Sequence, residues 1–289
     1  MGRCGICAAP GEIQRVMDVP DFFLEKDYTI TVCPSCGVKK TEPFPEDLSG
    51  LYKVQSYNKR QNSLFYFCKG VLIRREIRRI FRHTQNRFFL DVGSGGGEFS
   101  QQLYQAGHDA IAADSAPQRP VYLEKIAAVP YMNFDYGSYA LSDRGAGKGR
   151  TVVLRHVLEH VTDPARFLGK FIEDDAAFFY IAVPNTDCLE QKVFRRYYST
   201  WYVPYHLWHF NISSLRRLFE RMGIEFVAGG YDTIPTVLMH VHFYMRDKKC
   251  PEVVRNLFAP TGGALVVTSP LNLVFPNNVV WVIGENVKR

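Results

Sequence analysis

The sequence predicts an α/β protein, a doubly wound and mostly parallel sheet of seven strands preceded by a small four-cysteine module. Three observations carry this. After Arg87, short apolar runs alternate with helical stretches, the pattern of βαβ units laid on a parallel sheet. The first of those runs, Phe88-Phe89-Leu90-Asp91-Val92, leads straight into the corner Gly93-Ser94-Gly95-Gly96-Gly97. Four of the seven cysteines stand in two Cys-x-x-Cys pairs near the N-terminus.

A chain of 289 residues, 46% of them apolar, can bury a sizeable core, and its length fits one large domain plus something small. The net charge of +6 admits an anionic ligand without implying nucleic acid. The opening Met-Gly-Arg carries no apolar signal segment, and the paired cysteines suit thiolates on a metal; together they favour a reducing, cytoplasmic setting. In that setting Asn211-Ile212-Ser213 has no meaning as a glycosylation acceptor. From Ala259 to Gly284 there is no charged residue, but Pro260, Pro270, Pro276, Gly262-Gly263 and Asn277-Asn278 break the stretch. It therefore reads as buried strands and not as a membrane span.

Residues 1–45 hold too few apolar side chains for a core and need a staple. Residues 46–87 read as a helical linker or lid, and 88–289 as the main domain. Within the linker, Val71, Leu72, Ile73, Ile77, Ile80 and Phe81 oppose Arg74, Arg75, Arg78, Arg79, Arg82 and Arg87, an amphipathic helix whose basic face is expected in solvent or against a phosphate or acidic surface. Strands are expected at 88–92, 110–113, 151–154, 178–183, 225–228 and 279–283, with another just before Asp135. Asp163-Pro164 reads as a helix start, Gly223 as a helix stop, and Gly145 to Gly149 as a loop.

Glycines at a strand-to-helix corner let backbone approach a ligand, and the helix start offers it free N–H groups. A dinucleotide fingerprint needs glycine or alanine where Glu98 stands, and no Gly-Lys-Ser/Thr exists for a P-loop. The pattern present is Asp-x-Gly-x-Gly-x-Gly, which resembles the Rossmann-like class I S-adenosylmethionine-dependent methyltransferases. The resemblance implies that Asp91, Gly93, Ser94, Gly95 and Gly97 surround the methionine end of S-adenosylmethionine. It implies further that Asp114 meets the ribose, that Asp135 meets the adenine, and that Arg155 completes the cofactor set.

A second signature, Leu154-Arg155-His156-Val157-Leu158-Glu159-His160-Val161-Thr162-Asp163-Pro164, is similar to a segment of ubiquinone-pathway O-methyltransferases and sugar C-methyltransferases. Val183-Pro184-Asn185 and His206-Leu207-Trp208-His209-Phe210 follow in the order that group shows. Two places depart from it: Glu173-Asp174-Asp175-Ala176 stands where a glycine pair is usual, and Gly149-Arg150-Thr151 where an acid often precedes the strand. His156-x-x-Glu159-His160 also matches an inverted zinc-peptidase motif, but that motif must lie within a helix and His156 follows a strand.

Cys4-Gly5-Ile6-Cys7 and Cys33-Pro34-Ser35-Cys36 supply four thiolates, the set of a closed and hence structural zinc site. Tyr28 to Cys33, Cys36-Gly37, Pro43-Phe44-Pro45, Leu48, Leu51-Tyr52 and Tyr57 resemble the zinc-bearing front segment of many methyltransferases of this group, which the resemblance sets beside the substrate pocket. Cys68, Cys188 and Cys250 read as buried small apolar residues. Removing a proton from a hydroxyl or carbon acid calls for a general base, and histidine suits neutral pH. The candidates are His156, His160, His206 and His209, with His160 and His206 ranked first; Glu159 with the histidines could instead hold a divalent metal.

The expected function is methyl transfer to a small molecule or a sugar or glycan, O- or C-linked, with Arg195 and Arg196 able to meet a phosphate. The alternative is an inactive methyltransferase fold serving as a zinc-ribbon adaptor, against which the intact glycine loop speaks. No Asn/Asp-Pro-Pro-Tyr type motif for a flipped base is present, so a nucleic-acid acceptor is not expected.

Overall fold

The computed structural model describes residues 3–11, 13–21, 26–45, 63–135, 138–141, 146–257 and 274–287; Leu48, Leu51, Tyr52, Tyr57 and the uncharged stretch 258–273 lie outside them, as do residues 142–145 at the start of the expected Gly145 loop. The main sheet runs β11-β12-β9-β8-β4-β5-β6, with β4 Phe88–Val92, β5 Asp109–Asp114, β6 Tyr131–Asp135, β8 Thr151–Arg155, β9 Phe178–Pro184, β11 Ile224–Asp232 and β12 Val279–Asn286. The two-residue β7 (Ala140–Leu141) extends its edge beyond the seven expected strands. Strands β6-β5-β4-β8-β9 pair in parallel, and β12 is inserted antiparallel to both β9 and β11.

Both faces of this sheet are buried, which is why its strands read as near-continuous apolar runs. Phe89, Val153 and Tyr180 face α1 (Ser63–Thr84) and α2 (Glu98–Gln105), packing with Ile73, Ile77, Ile80, Phe99 and Leu103. Leu90, Val92, Val152, Leu154 and Ile181 face the other way, toward Phe167, Leu168 and Phe171 of α3 (Pro164–Glu173) and Leu215, Leu218 and Phe219 of α5 (Ile212–Met222). Burying each such side chain contributes roughly 1.5–3 kcal/mol. Asp163 caps α3 by accepting from Arg166 N at 3.0 Å, ahead of Pro164 at the first helical position; Gly223 closes α5 at φ 70°.

The missing glycine pair before β9 is replaced by Asp175 at φ 58°, while the Asp174 carboxylate accepts Gly147 N–H at 2.7 Å. Aspartate tolerates that left-handed backbone better than most residues, so the turn survives the substitution. Arg150, where an acid was usual, pairs with Asp109 across the sheet end.

Three expectations need correction. Val71 and Leu72, assigned to the buried face of α1, are solvent-exposed, because Glu76 takes a place on the inner face and turns the stripe towards Ile73, Ile77 and Ile80. Arg79 is not a solvated residue: it bonds Asp232, stacks 4.1 Å over the Trp281 ring and donates to Tyr180 Oη at 3.1 Å. Cys250 is half-buried, whereas Cys188 is buried; the Cys68 side chain lies outside the described residues.

The N-terminal segment is more ordered than its composition implied. β1 (Gln14–Asp21), β2 (Lys26–Val32) and β3 (Lys39–Glu42) form an antiparallel ribbon, and β10 (Trp208–His209) from the main domain pairs with β3 as a fourth strand. Among the described residues no helix is long and apolar enough to cross a membrane.

Candidate active site

At the C-terminal edge of β4 the loop turns on Gly93, Gly95 and Gly97, all at positive φ (74°, 53° and 86°). Gly93 N and Ser94 N donate to Ala113 O at 2.8 and 3.1 Å, and Gly95 N donates to the Asp114 carboxylate at 2.8 Å, so the loop is stitched to the end of β5. A Cβ on Gly97 would lie 2.8 Å from Pro120 Cβ and Leu123 Cγ, whereas one on Gly95 would meet nothing within 4 Å. Gly97 is thus required by packing, and Gly95 faces open space. The buried hydroxyl of Ser94, the residue before Gly95, bonds no described residue. An orphaned donor, a glycine cradle and a carboxylate at one corner fit a polar ligand such as the amino-acid end and ribose of S-adenosylmethionine.

Asp91 lies beneath the loop, buried, accepting Ser100 Oγ–H at 2.6 Å; burial pushes its carboxyl up to about 6. Asp135, at the end of β6, accepts from Ser138 N at 3.3 Å and Ser138 Oγ at 2.6 Å. The Arg155 side chain turns inward: its Nε donates to both Glu76 oxygens, at 3.0 and 3.1 Å, and its guanidinium lies 4.7 Å from the Phe99 ring centre. Glu76 escaped the sequence reading, although an acid between Ile73 and Ile77 on an otherwise arginine-rich helix was a visible signal.

The histidines gather on the same sheet edge. His156, at φ 56°, ends β8 by donating its N–H to Ala182 O at 2.8 Å, and only a single 3-10 turn, Leu158–His160, follows. The helix that a peptidase motif requires does not form. His160 Nδ1 is 2.9 Å from Tyr205 O, and His206 Nδ1 is 2.8 Å from Thr200 O. A carbonyl only accepts, so on both rings Nδ1 carries the proton and Nε2 is the basic nitrogen. The two rings meet edge to face, centres 4.7 Å apart, with Tyr202 stacked on Tyr205 beside them. Burial pushes the His160 imidazolium down, and pushes that of His206 down strongly with help from its histidine neighbours. His209 falls to about 3 for the same first reason. All three are therefore neutral at pH 7.

Glu159 is buried at 1% exposure, and neither carboxylate oxygen accepts a hydrogen bond from a described residue, although His156 Nδ1 lies 3.4 Å from Oε1. One ligand atom each from Glu159, His160 and His206 lie within 4.8 Å of one another. His209 is held differently. Its Nε2 is 2.8 Å from Thr41 Oγ1, whose own proton goes to His206 O at 2.7 Å. Since the hydroxyl has one proton, His209 Nε2–H is the donor in that pair.

Residues 64–228, more than half of the chain, match the family described as a methyltransferase domain. The chain belongs to that methyltransferase family. Its sheet order and glycine corner are those of the class I, S-adenosylmethionine-dependent architecture. A ubiquinone biosynthesis O-methyltransferase of Cereibacter sphaeroides is 36% identical over 81 residues, 27% of this chain and 33% of that protein. One from Azorhizobium caulinodans is 33% identical over 106 residues, 35% of this chain and 42% of its own length. The matches thus span between a third and a half of these relatives. Among solved structures, a SAM-dependent methyltransferase from Archaeoglobus fulgidus is 18% identical, with a TM-score of 0.47, covering 78% of this chain and 100% of that one.

In this methyltransferase the four N-terminal cysteines converge. Cys4 and Cys36 sulfurs are 3.9 Å apart, those of Cys7 and Cys33 are 3.8 Å apart, and all four lie within 4.8 Å of one another. Tetrahedral zinc with bonds of ~2.3 Å demands sulfurs ~3.8 Å apart, while a disulfide demands ~2.05 Å. The spacing suits the metal and excludes either disulfide. Thr41, fully buried, is the residue of this region that sequence reasoning missed; nothing distinguishes one strand threonine from another until its partners 165 positions away are in place.

Proposed function

We propose that this methyltransferase methylates a hydroxyl of a small-molecule acceptor, with His160 or His206 taking the proton, and that the cysteine cluster holds a structural zinc ion. The observation that carries the reading is the pair of neutral imidazoles of fixed tautomer on the same sheet edge as the glycine corner. When bound, S-adenosylmethionine supplies an electrophilic methyl group. Ser94, the loop N–H groups and Asp114 are assigned to its amino-acid and ribose ends, and Asp135 to its adenine. Arg155 supports from below, its charge matched by Glu76, so that the buried Asp91 is not the sole ion under the loop. A base of this kind contributes ~10²–10⁴-fold, and Nε2 is the basic nitrogen of either ring because Nδ1–H is committed to a carbonyl.

The cleft between ribbon and domain lined by Val19, Asp21, Arg196, Trp201, Tyr202 and Phe243 has room for about one water in this structure, so an acceptor seated there would have to open it. The cleft reaches the histidines through Tyr202, whose ring centre is 5.2 Å from that of His206. Its aromatic lining suits a phenol or sugar ring, and Arg196 suits an anionic substituent. The likeness to ubiquinone biosynthesis O-methyltransferases favours O-methylation. The deciding experiment is titration calorimetry with S-adenosylmethionine and S-adenosylhomocysteine. Intact protein should bind both, and Asp114→Ala should weaken binding by roughly tenfold or more, the size of one or two charge-assisted hydrogen bonds. An intact, zinc-loaded chain that binds neither ligand overturns the reading and favours the adaptor.

One observation supports a second reading of the histidine corner. A buried carboxylate with no donor, beside two imidazoles, is the kind of group a divalent cation relieves. On that reading Glu159, His160 and His206 hold the cation. The expected sign is Mn²⁺ binding by paramagnetic resonance that disappears in Glu159→Gln; equal binding by both proteins removes it.

A further inference from the structure

We propose that Thr41 of the N-terminal ribbon is a positioning residue for His206, so that the cysteine-bound ribbon is part of the base's mounting and not merely a neighbour of the domain. This rests on the histidine reading above. The Thr41 hydroxyl bridges two of the candidate histidines: it donates to His206 O at 2.7 Å and receives His209 Nε2–H at 2.8 Å. Its backbone N–H donates to Leu207 O at 3.0 Å, fixing the next residue as well. Thr41, His206 and His209 are all buried, so no water substitutes for the lost hydroxyl at comparable geometry.

Thr41 is in turn fixed by the metal knuckles. Cys33 N donates to Val38 O at 2.9 Å and Gly37 N to Cys33 O at 2.9 Å, so the second knuckle feeds directly into β3. β3 pairs with β10 at Lys39–His209 and Lys40–Trp208, the two residues that lead into Thr41. Each knuckle also has a glycine seated on the main domain. A Cβ on Gly5 would lie 2.8 Å from the Trp208 ring, and one on Gly37 would lie 2.8 Å from Asn211 Nδ2. Cysteine cluster, knuckle, β3, Thr41 and the His206 carbonyl thus form one connected chain of contacts. The imidazole of His206 hangs from the far end.

The test is histidine ring ¹⁵N spectroscopy at pH 7 on the whole, zinc-loaded chain, read for the tautomer and ring shifts of wild type, Thr41→Val and Thr41→Ser. In wild type, His209 should carry its proton on Nε2 and His206 on Nδ1. The opposite tautomer at His209 overturns the bridge without any variant, which keeps the proposal falsifiable should the valine chain fail to fold. Thr41→Val should shift the His206 ring signals and change the His209 tautomer, and Thr41→Ser should restore both; a valine variant whose His206 and His209 ring signals match wild type overturns the proposal. S-adenosylhomocysteine affinity, measured on the same samples, should change less than about twofold, because the glycine corner makes no contact with Thr41. A wild type that fails to bind S-adenosylhomocysteine yet shows the bridge signals defeats the functional reading, and with it the base role of His206, while the Thr41 bridge to His206 and His209 stands.

Discussion

The cofactor corner and the histidine corner share one sheet edge and are built by opposite means. The first is local: Ser100 reaches Asp91 across nine positions, and Gly95 reaches Asp114 across nineteen. The second joins residues 165 positions apart, His206 from the main domain and Thr41 from a ribbon that must itself be held together. A local corner forms whenever its strand and helix form. A corner mounted on a ribbon held by four converging cysteines fails separately from the rest.

The largest expected effect follows from that asymmetry. Cys36→Ser removes one of four converging thiolates, and structural zinc sites of this kind supply several kcal/mol of local folding free energy. Zinc content by elemental analysis should fall from about one per chain towards zero, and the ribbon should become sensitive to protease. Calorimetry should still detect S-adenosylhomocysteine, since the glycine corner does not depend on the ribbon. Loss of ligand binding in parallel with zinc would erase the contrast between the two corners.

The same asymmetry explains what the sequence disclosed. The parallel strands were legible because both faces are buried and their apolar runs are bounded by turns, as in Thr151–Arg155 between Gly149 and His156. The glycine corner was legible because strand, loop and helix are contiguous, and its acid lies one strand later. The ribbon strands were not: Gln14–Asp21 and Lys39–Glu42 alternate weakly and gain their order from the cysteine knuckles and from β10. Four histidines could be singled out by type, but their different surroundings come from long-range contacts. Tyr205 O, Thr200 O and Thr41 Oγ1 decide which nitrogen of each ring is basic. The inward turn of Arg155 was hidden for the same reason, since Glu76 lies 79 positions away.

A smaller effect tests the cofactor corner alone. Asp91 has its carboxyl raised in the folded chain to about 6, above the ordinary 3.8, by burial. The folded state therefore holds that proton more tightly than the unfolded state. The associated stability is fully present below about pH 4 and is lost as pH rises towards 6, by roughly 3 kcal/mol at about 1.4 kcal/mol for each tenfold difference in proton affinity. Asp91→Asn keeps an acceptor for Ser100 and has no proton to lose. Urea midpoints of the two proteins should diverge between pH 4 and 6.5 in favour of the asparagine variant; parallel curves would mean that the Arg155 charge already offsets the burial.

The smallest effect probes the seam between the corners. Asn211 Oδ1 caps α5 by accepting Ser214 N–H at 2.8 Å, while its Nδ2 faces the ribbon, 3.5 Å from Gly37 O and 2.8 Å from Asp187 Oδ2. Asn211→Asp preserves the cap acceptor and reverses the other half, setting a carboxylate against Asp187 and against a carbonyl. Asn211→Ala removes both halves. If the cap is the main contribution, the alanine variant loses about 1 kcal/mol and the aspartate variant little. If the seam matters as the Thr41 bridge implies, the aspartate variant is the worse of the two by about 1 kcal/mol, and zinc leaves it faster in a chelator challenge. The order of the two variants in that challenge, more than either value, tells whether the ribbon is latched to the histidine corner from the Asn211 side as well as through β3.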